Sequence, residues 1–312
     1  MELIEEFKAQ LKGKNASIVL PEGEDERVRE AAKILAKEGI IEPIVLTDGE
    51  EIEGVKTINV KDYDISEMVQ KFVERRNGKI DDEGARKLVL EDKNYFGTML
   101  VYMGKASGLV SGACHSTANT VRPALQIIKM KKPFKKTSGV FVMMKGDERY
   151  IFSDCAINIA PTSEDIAENA VISNETAKTF GIKEPKVALL SFSTKGSADS
   201  EETHKVEEAL KLIKETESEM VVDGELQFDA AFVPSVGEKK APGSPVAGHA
   251  NVFIFPSLEA GNIGYKIAQR MGGFTAIGPV LQGLNSPVND LSRGCSIEDV
   301  VSLSYLTAAQ SL

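Results

Sequence analysis

The sequence has no tryptophan, three histidines and three cysteines in 312 residues. Each scarcity removes a class of function. Cys114, Cys155 and Cys295 are odd in number and far apart, which opposes a disulfide framework and fits a reducing cytoplasmic setting. His115, His204 and His249 are isolated, without His-x-x-x-His or Cys-x-x-Cys spacing, so no metal site is expected. No run of about 18 uncharged apolar residues occurs, so no transmembrane helix is expected. The start, Met1-Glu2-Leu3-Ile4-Glu5-Glu6-Phe7, is acidic and amphipathic, unlike a secretory leader. Lysine and arginine number 37 against 47 acids, a net charge of -10. With no basic stripe, nonspecific binding to nucleic acid or an anionic membrane is not expected. An anionic substrate would need particular arginines to hold it against the overall field.

Several motifs are missing as well. No Gly-Lys-Ser/Thr completes a Walker loop, and no Gly-x-Ser-x-Gly elbow exists. After the first strand, Pro21-Glu22-Gly23-Glu24 stands where a Gly-x-Gly-x-x-Gly dinucleotide fingerprint would be.

What is present is an alternation of strand-like and helix-like segments, which reads as an α/β fold. Residues 17–20 form a short buried strand. Glu24-Asp25-Glu26 then opens a helix with Val28, Ala31, Ala32 and Leu35 on one face, stopped by Gly39. Strands are expected at 44–46 and 58–60, and helices near 64–76, 83–91 and 94–105. Residues 108–112 form a strand whose small-residue end, 111–117, feeds a helix to about Lys129. The basic segment 129–136, with Pro133, is the candidate boundary between two lobes, two domains being the default at this length. Strands follow at 139–144 and 149–153, then a helix from Thr162 and Asp165 to about Phe180. Beyond them lie a strand at 187–191, a charged helix at 199–217 and a mixed helix and Gly/Pro-rich loop over 228–245. The last segments are a strand at 252–256, a helix at 258–271 and a strand at 274–278.

Two segments carry candidate chemistry. In Asn289-Asp290-Leu291-Ser292-Arg293-Gly294-Cys295-Ser296-Ile297-Glu298-Asp299, Ser296 and Asp299 form a capping box before Val300-Val301-Leu303. A hydroxyl (Ser292), a guanidinium (Arg293) and a carboxylate (Asp299) thus share one loop and a first helical turn. A donor, an anion clamp and a general base suit transfer of a group to or from phosphate. The same spacing also fits a capped surface helix. The second segment, Ser111-Gly112-Ala113-Cys114-His115-Ser116-Thr117, opens a helix and could hold an anion by its backbone amides, with hydroxyls from Ser116 and Thr117 and a guanidinium from Arg122. An ordinary N-cap would look the same. Cys114 reads as a small packed residue, Cys155 as structural, and His204 as solvated. In Glu259-Ala260-Gly261-Asn262-Ile263-Gly264, the glycines permit either close packing or ligand approach.

Together these segments resemble the phosphate acetyltransferase family. The matching runs include Leu20-Pro21-Glu22-Gly23-Glu24-Asp25-Glu26-Arg27-Val28, His115-Ser116-Thr117, Arg122-Pro123-Ala124-Leu125-Gln126-Ile127-Ile128 and Phe152-Ser153-Asp154-Cys155-Ala156-Ile157-Asn158. They continue through Val222-Asp223-Gly224-Glu225-Leu226-Gln227-Phe228-Asp229, Pro256-Ser257-Leu258-Glu259-Ala260-Gly261-Asn262 and the 289–299 motif. The resemblance implies reversible acetyl transfer between acetyl-CoA and phosphate, with coenzyme A as substrate and no bound cofactor or metal. It implies two α/β domains with mostly parallel sheets, of isocitrate/isopropylmalate dehydrogenase-like architecture, a cleft between them, a homodimer and functional coupling to acetate kinase. The domains are expected at 1–137 plus 280–312, and at 138–279. By matching position, Asp299 is the base for the CoA thiol. Ser292 orients or stabilises the reacting groups, and Arg293 binds the phosphoryl group and developing oxyanion. Ser116, Thr117 and Arg122 cradle phosphate or acetyl phosphate, and Arg270 with Arg75 or Arg76 contacts CoA. Direct thiolate attack in a ternary complex is expected over an acetyl-cysteine. Phosphate butyryltransferase is the nearest alternative. A metal-dependent decarboxylating dehydrogenase of the same fold and a CoA-binding regulatory module are more distant ones.

Overall fold

The computed structural model describes residues 2–312. The chain separates into two compact units, Met1–Pro133 with Leu284–Leu312, and Phe134–Gly283. These divisions fall four residues outside the expected ones (137 to 133, 279 to 283). The cause is strand pairing, since Ser138–Lys145 pairs antiparallel with Thr275–Gln282 through Gln282 itself.

In chain order the first unit carries α1 (Glu2–Leu11), β1 (Ser17–Leu20), α2 (Glu26–Glu38), β2 (Glu42–Thr47), β3 (Lys56–Asn59), α3 (Ser66–Arg76), α4 (Asp82–Glu91), α5 (Lys93–Tyr102), β4 (Gly108–Ser111) and α6 (Thr117–Pro123). The second unit carries β5 (Ser138–Lys145), β6 (Glu148–Ser153), α7 (Ser163–Thr179), β7 (Val187–Leu190), α8 (Glu201–Thr216), β8 (Val222–Leu226), α9 (Phe228–Phe232), α10 (Pro234–Lys240), β9 (Val252–Ile254), α11 (Leu258–Arg270) and β10 (Thr275–Gln282). The chain then rejoins the first unit as β11 (Val288–Asp290) and α12 (Ile297–Gln310).

The first unit is built on a parallel sheet ordered β11-β4-β1-β2-β3. Its central strands β1, β2 and β4 carry apolar runs because both faces are covered: Ile18, Val19, Leu20, Leu46 and Leu109 are all buried. From β1 the chain steps one way to β2 and β3, then returns to the other side as β4 and β11. The order therefore reverses between β1 and β4, and ligand sites of open α/β sheets form at the carboxyl ends of strands at such a reversal. Asp25 caps α2, accepting from Arg27 N at 2.8 Å, and Gly39 ends it at φ 65°. The helix expected to run from 117 to about 129 instead changes pitch after Pro123, where Ala124–Ile128 forms a π-turn. Proline has no amide hydrogen to continue the regular ladder.

In the second unit the sheet order is β10-β5-β6-β9-β7-β8, with β10, β5 and β6 antiparallel and the rest parallel. Thr162 and Asp165 form the capping box that the sequence announced for α7. In α11, Gly261 lies directly against the Asp154 carbonyl, so close packing is its role.

The end of β4 leaves no room for a side chain at Gly112. Gly112 follows β4 at φ +112°, and a Cβ there would lie 2.5 Å from Asp290 Oδ1 and 2.6 Å from the Leu291 backbone. Gly13 also has positive φ (+79°), but nothing lies within 4 Å of its would-be Cβ. Gly112→Ala is therefore expected to lose more than about 2 kcal/mol of stability, and Gly13→Ala only about 1 kcal/mol. Urea unfolding of both variants measures this, and equal losses would reject the close-approach explanation.

Candidate active site

Three loops leave the carboxyl ends of β1, β4 and β11, which are neighbours in the sheet. They are the turn at 21–25, the loop at 112–117 and the loop at 291–296. Parallel register sets Asp290 opposite Ser111, and Leu291 N donates to Ser111 O at 2.6 Å. The two segments singled out in the sequence thus emerge side by side.

Glu22 shapes the middle loop. Its carboxylate is 1% exposed. Oε2 accepts from the backbone amides of Gly112 (2.9 Å) and Ala113 (2.8 Å), and Oε1 from those of Cys114 (2.8 Å) and His115 (3.0 Å). The His115 Nδ1 lies 2.7 Å from Oε1. A buried carboxylate is tolerated only when such donors replace its water. The amides expected to cradle a substrate anion are therefore occupied by the protein's own anion at 112–115. Only the Ser116 end of the loop remains for a ligand.

Arg27 ties that loop to the next one. Its guanidinium is held by both Asp25 oxygens, at 3.0 and 2.7 Å. It then donates to the carbonyls of Ala113 (2.9 Å), Arg293 (2.9 Å) and Cys295 (3.0 Å). Arginine suits this because its fork offers several donors in fixed directions. The Arg27 hydrogen bonds hold the Asp25 carboxyl well below the usual carboxylate range.

Each expected site residue has a definite place. Ser292 is exposed, and its Oγ accepts from Gly294 N at 3.3 Å, leaving its own proton for a ligand. The side chain of Arg293 is exposed, since Arg27 takes only its backbone carbonyl. Asp299 and Ser296 form the expected capping box, with Ser296 N donating to Asp299 Oδ2 at 2.8 Å. Asp299 stays exposed in the first turn of α12. Ser116 sits at the N-cap of α6 but makes no capping bond, its hydroxyl donating instead to Asn119 Oδ1 at 2.6 Å. Thr117 Oγ1 donates to Asp290 Oδ2 at 2.6 Å. Its proton is thus committed to tying the two loops together.

The arginines separate into two kinds. Arg75 donates to the carbonyls of Ile127 (2.5 Å) and Ile128 (2.7 Å) and lies 5.0 Å from the Tyr102 ring centroid. It closes the end of the π-turn and has little freedom for a ligand. Arg76 and Arg122 both act electrostatically on the Tyr95 hydroxyl, whose pKa is raised chiefly by burial. Arg270 belongs to the second unit, in the last turn of α11, where its charge acts on Tyr265.

All three cysteine thiols have raised pKa values. Cys114 is exposed rather than packed, because its thiol turns outward to donate to Asp25 Oδ2 at 3.2 Å. Burial, the bond to Asp25 and the charge of Glu22 push its pKa up to about 12. Burial also raises Cys295 and Cys155. A thiol held protonated is a poor nucleophile. Among the described residues no group of three His, Cys, Asp or Glu is placed to hold a metal ion.

Glu22, Arg27, Asp25 and Asp290 were not singled out for roles in the sequence. The available signal was a carboxylate immediately after a fully apolar strand, where a charge needs partners. Asp290 is 1% exposed, and its Oδ1 has no hydrogen-bond partner. Burial pushes its pKa up to about 6. A carboxyl raised in the fold favours folding while protonated, and that contribution is lost as the pH rises through about 6. Asp290→Asn, which keeps an acceptor for Thr117, is expected to be about 1–3 kcal/mol more stable than the parent above pH 6, with no gain near pH 4. Urea unfolding at both pH values checks this, and a pH-independent difference would reject it.

Comparison with known proteins accords with this geometry. The family described as Phosphate acetyl/butaryl transferase matches residues 2–308. The phosphate acetyltransferase of Bacillus subtilis (strain 168) is 60% identical, over 100% of this chain and 99% of that one. The structure of EutD phosphotransacetylase from Staphylococcus aureus superposes with a TM-score of 0.93 at 59% identity, covering 100% of this chain and 98% of that one. A phosphotransacetylase from Streptococcus pyogenes gives 0.94 at 54% identity, covering 99% and 98%. At the level of fold alone, a 4-hydroxythreonine-4-phosphate dehydrogenase from Klebsiella pneumoniae gives 0.57 at 12% identity, covering 96% and 100%. With nearly every residue matched by the family and full-length relatives at this identity, the chain belongs to the Phosphate acetyl/butaryl transferase family.

Proposed function

We propose that the chain catalyses acetyl-CoA + phosphate ⇌ CoA + acetyl phosphate by direct transfer in a ternary complex. The observation that carries this is the meeting of two loops at the strand-order reversal, one bearing Ser292, Arg293 and nearby Asp299, the other Ser116, with Arg27 bridging them. The names of full-length relatives favour acetyl over butyryl.

In the acetyl-CoA-forming direction, the thiol must lose a proton before attack, because a thiol of pKa about 8.5 is only a few per cent thiolate at pH 7. Asp299 is the exposed carboxylate placed to take it. The thiolate then attacks the acetyl carbonyl, and charge gathers on its oxygen. Ser292 Oγ–H and the Arg293 guanidinium are the donors that meet this charge, the contribution expected of an oxyanion site. Arg293 and the backbone amide of Ser116 hold the phosphoryl group, the Ser116 hydroxyl proton being taken by Asn119. Thr117 acts indirectly, fixing the loop through Asp290. Arg122 and Arg76, whose charges both act on Tyr95, are the cations for the phosphates of acetyl phosphate or CoA in this reading. Arg75 is released from the CoA role by its bonds to the π-turn. Arg270 remains a CoA-binding residue in this reading. The protonated thiols disfavour an acetyl-cysteine route.

Homodimer formation belongs to the same reading. The second unit exposes Ile263 and Ile267 on α11 and Met271 just after it, the last at 85%, beside an apolar hollow of about 410 Å³ lined by Phe152, Phe228, Phe232 and Phe253. A contiguous apolar face of this kind suits burial against a second copy. A cytoplasmic location and coupling to acetate kinase complete the proposal. Among the described residues no helix is long and apolar enough to cross a membrane.

Asp299→Ala is expected to lower kcat by about 100-fold or more, with KM for both substrates within about threefold of the parent. Steady-state kinetics in both directions measures this. A variant with near-normal kcat would remove Asp299 from the proton transfer.

A further inference from the structure

The reaction carries one proton between sulfur and phosphate, and so needs a proton transfer at each end; Asp299 accounts for the transfer at sulfur. When thiolate displaces phosphate from acetyl phosphate, the departing group would be trianionic phosphate unless a proton reaches it. In reverse, a phosphate hydroxyl must lose a proton as its oxygen bonds to the acetyl carbon. An acid–base group is needed on the phosphate side, away from the thiol.

His115 occupies that side. It immediately precedes Ser116, on the loop that leaves β4 next to the Ser292 loop. Its Nδ1 is 2.7 Å from Glu22 Oε1, and the Glu22 carboxylate is itself locked by four backbone amides. A carboxylate only accepts, so Nδ1 carries the hydrogen and the neutral imidazole presents its lone pair at Nε2. The imidazole is partly exposed, at 34% of its side chain, while its partner is buried at 1%. Carboxylate on one nitrogen and a free second nitrogen is the arrangement by which an acid–base histidine is oriented and its cation stabilised.

We propose that His115 is the phosphate-side general base and acid, held in its tautomer by Glu22. The proposal rests on the assignment of the Ser116 loop to the phosphate. In the phosphorolysis direction His115 Nε2 takes the proton of the phosphate hydroxyl as that oxygen forms its bond to the acetyl carbon. The carbon–sulfur bond then breaks, and the sulfur leaves with a proton supplied by the Asp299 carboxylic acid. After product release His115 gives its proton to solvent and Asp299 takes one from solvent, which restores both groups. In the reverse direction His115 gives a proton to the departing phosphate and Asp299 takes the thiol proton. The charged and titratable groups on the surrounding turns are Glu22, Glu24, Asp25 and Arg27 after β1, Cys114 and Arg122 on its own loop and helix, and Asp290, Arg293, Cys295 and Asp299 after β11.

His115→Asn separates this role from simple positioning, because the asparagine amide can still donate to Glu22 but has no proton-carrying Nε2. Steady-state phosphorolysis of acetyl-CoA is followed from pH 5 to 9 for the parent, His115→Asn and Asp299→Ala. The expected result is a kcat lower by about 100-fold or more, KM values for phosphate and acetyl-CoA within about threefold, and loss of the acid-side fall in kcat. A kcat within about threefold of the parent overturns the proposal. So does a loss confined to KM for phosphate with the acid-side fall intact, which would make His115 a binding residue. If His115→Asn does not fold, as judged by circular dichroism, His115→Gln is read by the same criteria. Activity lost in Asp299→Ala but kept in the His115 variants defeats this proposal alone. Activity kept in all of them defeats the site assignment itself.

Discussion

The site depends on one buried carboxylate. Glu22 follows the apolar strand β1, and there its charge has no water to face. It is satisfied only if the loop after β4 folds around it and presents four amides in succession. That single requirement sets the path of residues 112–115, turns His115 back onto the same carboxylate, and delivers Ser116 to the start of α6. The loop takes this path because Gly112 accepts φ +112° against Asp290 and Leu291. Glu22 thus acts on function from inside the structure, by fixing what the loop can offer.

Arg27 extends the order to the neighbouring loop. Asp25 orients its guanidinium, and three carbonyls from two loops converge on the remaining hydrogens. Thr117 and Asp290 make a second tie between the same loops. The outward side chains of Ser292, Arg293 and Asp299 therefore stand on a base held from below, as a preorganised electrostatic site requires. In a protein of net charge -10, the proposed function relies on local arginines and oriented donors to make this edge receptive to phosphate and to the phosphates of CoA.

Much of this was legible in the sequence. The capping box at Ser296 and Asp299 depends on local spacing, and local spacing survives folding. The α/β alternation was visible because buried parallel strands are short apolar runs between helices. What stayed hidden was pairing over long distances. Glu22 and its amide partners lie 90 to 93 positions apart, and Thr117 and Asp290 lie 173 apart. Hence the loop amides read as able to hold an anion or to cap a helix, when an internal carboxylate already holds them. Strand β11 was missed for a related reason. Val288–Asp290 is three residues long and two of them are polar, so only its place beside β4 makes it a strand. Cys114 was expected to pack inside, whereas the turn around Glu22 directs it outward to Asp25.

The most direct test is release of free CoA from acetyl-CoA by the purified chain, followed with a thiol reagent as phosphate is varied. Direct acetyl transfer to phosphate predicts a thiol signal that saturates with phosphate and is matched by acetyl phosphate formed. A signal no greater than the phosphate-free control would contradict it.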